Sequence, residues 1–121
     1  MDKSLYDLSF LLEFDDPNYL VEILDLFLST TPPILSSIEL NVENQNWDEV
    51  YRDAHTLRGS FGMLQMQKIV AIVADIEERA KQKSELEIVP QKIKELLAGF
   101  TQVRVLIEKE LSLARSLVAT R

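Results

Sequence analysis

The sequence predicts an all-α fold, an up-and-down four-helix bundle with a short extra helix at its N-terminus. Three observations carry that expectation. The 121 residues include only three glycines and four prolines, too few to punctuate a β-rich chain with turns, while leucine, glutamate, lysine, isoleucine and alanine, which favour helices, are plentiful. Apolar residues recur every three or four positions through most of the chain, and nowhere do they alternate as in a strand. The breaks between the periodic segments are short, as in antiparallel bundles. A chain of this length buries one core and not two, so residues 1–121 form a single domain.

The elements follow in order. Ser4 to Phe14 places Leu5, Leu8, Leu11 and Leu12 at helical spacing. Ser4 suits the cap of this short helix, and Asp7 its first turn. Asp15-Asp16-Pro17 then restarts the chain, with an aspartate at the N-cap and proline at the first helical position. Tyr19, Leu20, Ile23, Leu24, Phe27 and Leu28 make a wide apolar stripe that resumes beyond Pro32-Pro33 with Ile34, Leu35, Ile38 and Val42. Proline within a helix costs about 3 kcal/mol. Two helices meeting at a bend and one helix from 17 to 44 kinked near Pro32-Pro33 both fit, and the kinked helix is the expectation. Asn46 is the expected cap of a helix beginning at Trp47, with Asp48 and Glu49 in its first turn, which ends near Met63 to Gln65. Met66 to Lys83 forms the next helix, with Ile69, Ile72, Val73, Ile76 and Ala80 inward, and Ser84 to Val89 links it to the last. Pro90 opens that helix, whose inward residues are Ile93, Leu96, Leu97, Phe100, Val103, Ile107, Leu111 and Leu117.

Composition also narrows function. Cysteine is absent, so neither a disulfide framework nor a thiolate zinc site is available. Neither a basic, apolar leader nor a run approaching 18 uncharged apolar residues is present, and a cytoplasmic protein without membrane insertion is expected. Residues 1–53 carry 12 acids against two bases, a charge of −10, while residues 54–121 carry a charge of +3. So acidic a half is repelled by phosphate backbones, which argues against nucleic acid as a partner. A catalytic triad, a phosphate-cradling glycine loop and a Glu-x-x-His metal pair all lack their residues, so metal ligands and cofactors are expected to be none.

What remains is the stretch from Trp47 to Met66. It contains the single histidine, His55, and two of the three glycines, Gly59 and Gly62. At roughly 100° per residue, Val50, Ala54, Leu57, Phe61 and Leu64 share one face, and His55 lies about 130° from its centre. On the histidine's side fall Tyr51, Arg58, Gly59 and Gly62. Exposed histidines on helices are usually idle, but an idle position does not call for two residues that each weaken a helix by about 1 kcal/mol. Tyr51 lies at the edge of this face, where core and interface both fit. The reading is an outward imidazole, cleared of side chains on one flank, with a positive charge beside it.

His55-Thr56-Leu57-Arg58-Gly59-Ser60 resembles the signature of histidine phosphotransfer (HPt) domains, His-x-Leu-Lys-Gly followed by small residues. Ala54 and Gly62 also match, and Asp75-Ile76-Glu77 is similar to the family's Leu-Glu on the following helix. Arg58 replaces lysine, Phe61 stands where serine or alanine is usual, and Gln65 stands where a glycine commonly follows. The resemblance implies a phosphorelay carrier without its own kinase domain. His55 would accept a phosphoryl group from a receiver aspartate and pass it to another receiver, with Arg58 stabilising phosphate charge. It implies partner docking at Tyr51, Gly59, Gly62 and Glu77, receiver domains of response regulators or hybrid histidine kinases as partners, magnesium on the receiver, and a monomeric carrier. The alternative is an adaptor bundle that binds receivers without taking phosphate.

Overall fold

The structure, a computed structural model, describes residues 5–13 and 16–120. All regular structure among them is helical: α1 (Ser9–Leu12), α2 (Pro17–Glu43), α3 (Trp47–Met63), α4 (Gln67–Gln82), one 3₁₀ turn (Leu86–Ile88) and α5 (Val89–Ala119). The four long helices pack in a ring, α2 on α3, α3 on α4, α4 on α5 and α5 back on α2. Their apolar stripes meet in one core. Phe27, Phe61 and Phe100 pin three of the helices together, with ring centroids 5.7 to 6.3 Å apart, the spacing of favourable edge and tilted contacts.

The N-terminal segment departs from expectation. Leu5 to Leu8 are not helical, and α1 is a single turn; Ser4, Phe14 and Asp15 lie outside the described residues. The cause is a competing bond. The Asp7 amide donates to the Leu64 carbonyl at 2.9 Å, tying this segment to the end of α3, and the Asp7 carboxylate accepts from the Ser9 amide at 2.8 Å. Tyr6, Leu8 and Leu11 are nevertheless buried. The Tyr6 hydroxyl donates to Glu110 of α5 at 2.8 Å, and burial first, then that carboxylate, push it up to about 12.

α2 starts as its sequence dictates, with Asp16 accepting from the Asn18 amide and Pro17 in the first turn. It is one continuous helix through Pro32 and Pro33. Buried Leu24, Phe27 and Thr31 on one side of the prolines and Leu35, Ile38 and Val42 on the other hold it against the core. By length and apolar composition α2 could cross a membrane; one stripe of it is buried in the bundle, while Leu26 and Leu40 stay exposed.

Asn46 stands at the N-cap of α3, yet its side chain makes no capping bond. Its amide donates to the Asn41 carbonyl while the Gln45 amide reaches Val42, so the residue serves to close α2 in a Schellman motif. α4 begins at Gln67, one residue later than expected, because Met66 similarly closes α3. The link after α4 contains the 3₁₀ turn, and α5 begins at Val89 with Pro90 in its first turn. Leu117 was expected inward and is exposed. The buried stripe of α5 passes from Leu111 through Ala114 to the half-buried Val118, and Leu117 falls to its side.

Candidate functional site

α3 turns Val50, Ala54, Leu57 and Phe61 fully into the core, and this packing fixes where its other residues point. His55 emerges with its side chain 62% exposed. α4 returns beside α3, burying Val73, Ile76 and Ala80. Glu77, next to Ile76, therefore surfaces at the boundary of the two helices, where its side chain is only 8% exposed.

That buried carboxylate holds two partners. Its Oε2 lies 2.8 Å from His55 Nδ1, and its Oε1 lies 2.9 Å from Arg58 Nη1. The second contact is an ion pair without hydrogen-bond alignment, since Oε1 has no hydrogen-bond partner. A carboxylate removed from water needs such compensation. It can only accept a proton-bearing nitrogen, so the bond assigns the hydrogen of a neutral imidazole to Nδ1 and leaves the lone pair on Nε2. Tyr51, one turn earlier, stacks beside the ring with centroids 6.2 Å apart and planes 25° apart.

Gly59 and Gly62 extend the same face towards the C-terminus of α3. A Cβ at either position would meet nothing within 4 Å. Packing among the described residues therefore gives no reason for the glycines, and the space they leave opens to the outside. Arg52, also on this face, is paired with Glu49 at 2.6 Å.

α3 ends where the family's common glycine is replaced. Gln65 adopts φ 57°, the Met66 amide reaches Phe61 and the Gln65 amide reaches Gly62. This is a Schellman motif carried by a non-glycine residue, so the helix stops as a glycine would stop it. Phe61, in place of a small residue, is absorbed by the aromatic core contacts with Phe27 and Phe100.

The structure thus brings His55, Arg58, Glu77 and Tyr51 into one cluster, with Gly59 and Gly62 as its cleared margin. Two features escaped the sequence. Glu77 grips the histidine itself, and only the register of two helices, 22 residues apart in the chain, reveals that. Asp53, two residues before His55, accepts from Ser37 at 2.7 Å and Asn41 at 3.0 Å, bolting α3 to α2. Its place on the α2 side of the helical wheel was the available signal. Among the described residues, no group of acidic and histidine side chains is arranged to hold a metal ion.

An oriented imidazole presented from one face of a four-helix bundle is the arrangement of a histidine phosphotransfer module. The chain belongs to the Hpt domain family, whose model matches residues 22–106. Membership places it in the phosphorelay chemistry of two-component signalling, among phosphocarrier modules without catalytic activity of their own that interact with receiver domains of response regulators or histidine kinases. Comparison with curated proteins and with solved structures gave no match.

Proposed function

We propose that His55 is the phosphoryl acceptor of this carrier, taking phosphate from a receiver aspartate and returning it to another. The observation that carries the reading is the His55 Nδ1–Glu77 Oε2 contact of 2.8 Å. In transfer, the Nε2 lone pair forms the N–P bond as the P–O bond to the aspartate breaks and the aspartate leaves as a carboxylate. Nδ1 keeps its proton, and the positive charge that the ring acquires is countered by Glu77, much as the carboxylate of a catalytic triad serves its imidazole. Phosphoryl transfer needs chiefly alignment and charge stabilisation. Glu77 supplies alignment. We accordingly assign Glu77 a positioning role rather than the docking role its sequence suggested. Arg58, half-exposed at the end of its ion pair, is within reach of phosphate oxygens on the same face.

Tyr51, Gly59 and Gly62 form the docking margin in this reading. Magnesium belongs to the receiver and no metal to this chain. We place residues 1–121 as one monomeric, cytoplasmic carrier domain. The need to show His55 to two partners in turn supports the monomer.

The test is transfer from phosphorylated receiver domains of the same organism, read as acid-labile, alkali-stable label. The wild type takes label and His55→Ala takes none. Label persisting on His55→Ala overturns the assignment, and a wild type that binds receivers without ever taking label is the adaptor.

A further inference from the structure

The bond to Glu77 does not by itself fix the imidazole. The ring is held at two points, at Cβ by the backbone of α3 and at Nδ1 by Glu77 Oε2, 2.8 Å away. A rigid body held at two points keeps one rotation, about the line that joins them. Nε2 lies well off that line, so the rotation swings the accepting atom. The torsion itself resists little, because the last torsion of a histidine has broad wells rather than three sharp ones. Water resists no better, and the side chain is 62% exposed. Towards the C-terminus of α3, Gly59 and Gly62 have no side chains to stop the ring, and a Cβ at either would meet none of the described residues within 4 Å.

The stop is on the other side. Tyr51 stands one turn before His55, a spacing at which helical side chains meet. Its ring stacks beside the imidazole, with centroids 6.2 Å apart and planes 25° apart, an offset pair at a favourable separation. Tyr51 is anchored in turn, since it is half-buried and packed against the core. The imidazole thus has a fixed wall on its N-terminal side and open space on its C-terminal side.

We propose, on the phosphorelay reading, that Tyr51 is a positioning residue, a backstop that sets the plane of the imidazole and hence the direction of the Nε2 lone pair. This is a task apart from docking. The lone pair lies in the ring plane, and in-line displacement needs it aligned with the P–O bond that breaks. A docked receiver holds its phosphoryl group in one place, so the ring has to be turned to meet it. A small donor free in solution tumbles to meet the lone pair at any ring angle and gains nothing from a backstop. The aromatic ring makes the contact, and the hydroxyl takes no part.

The experiment uses the full chain with two donors. One is a phosphorylated receiver domain of the same organism. The other is phosphoramidate, whose P–N bond breaks as Nε2 bonds to phosphorus and ammonia leaves. Single-turnover transfer is followed as receiver is titrated, for the wild type, Tyr51→Leu and Tyr51→Phe, each checked for folding by circular dichroism. The limiting rate of Tyr51→Leu should fall about three- to tenfold, the scale of one aromatic contact, with the half-saturating receiver concentration little changed. Tyr51→Phe should recover most of that loss, and phosphoramidate should label all three proteins at one rate. Proton NMR of the wild type should show cross-relaxation between the Tyr51 and His55 rings. A loss that falls on half-saturation alone makes Tyr51 a docking contact and overturns the proposal. So do an unaltered limiting rate, an equal loss with phosphoramidate, and a Tyr51→Phe variant as slow as Tyr51→Leu. Absence of the NMR contact overturns it whichever way label moves. A wild type that shows the contact and takes label from phosphoramidate, yet from no receiver, keeps Tyr51 as the residue that orients the ring and overturns the phosphorelay reading.

Discussion

α4 has two seams, and they are built differently. Towards α5 it presents Ile69, which lies against Gly99: a Cβ at position 99 would stand 3.2 Å from Ile69 Cγ1. Asp75 and Arg79 close the same region with ion pairs to Lys92 and Glu85. Towards α3 it presents Glu77, which stops at His55 and Arg58, and beyond them Gly59 and Gly62 leave space that none of the described residues fills. The three glycines of this protein are all helical and all lower helix propensity, yet their reasons differ. Gly99 is small because a neighbour is already there. Gly59 and Gly62 are small although no neighbour is there among the described residues, which is what the proposed docking margin requires.

Substitutions at three positions sharpen or break this contrast. The largest effect falls on Glu77→Ala, which frees the imidazole to choose its tautomer and rotamer. Transfer from a charged receiver should slow by about 10–100-fold, the range that losing an orienting partner costs a metal-bound histidine. Glu77→Gln, whose side-chain carbonyl can still accept from Nδ1, should recover much of the rate, and equal loss in both variants would refute the positioning role. Next comes Gly59→Gln, which should reduce transfer by about tenfold while raising stability by about 0.5 kcal/mol, since it removes a helical glycine without touching a neighbour. Urea denaturation and single-turnover transfer measured on the same sample decide it; an unchanged rate would mean that the clearing serves no visitor. Smallest in its effect on function is Gly99→Leu. Overpacking against Ile69 should cost about 1–3 kcal/mol in thermal or urea unfolding, with transfer per folded molecule unaltered. Wild-type stability in that variant would remove the distinction between the seams.

Much of this was legible in the chain itself. The outward placement of His55 follows from the spacing of Val50, Ala54, Leu57 and Phe61, because a helix that buries one stripe must expose the opposite one. The restart at Asp16-Pro17 was equally local, as capping chemistry depends on adjacent residues. Expectation failed where a distant group competed with a local one. Asp7 was expected inside a helix from Ser4, but the Leu64 carbonyl claims its amide. Asn46 was expected to cap with its side chain and makes no such bond; its amide instead closes α2 through Asn41. Gln65 lacks the left-handed preference of glycine, and burial of Met66 and Phe61 on either side of the turn imposes that conformation regardless.

By itself the sequence determined the long helices, the core stripe and the outward face of the single histidine, because each depends on residues within one or two turns of one another. Tertiary structure alone decided which carboxylate grips the imidazole and through which nitrogen, and whether each glycine faces a neighbour or open space. These depend on the register between helices far apart in the chain, and register is set by how whole side chains interlock in the core rather than by any local signal.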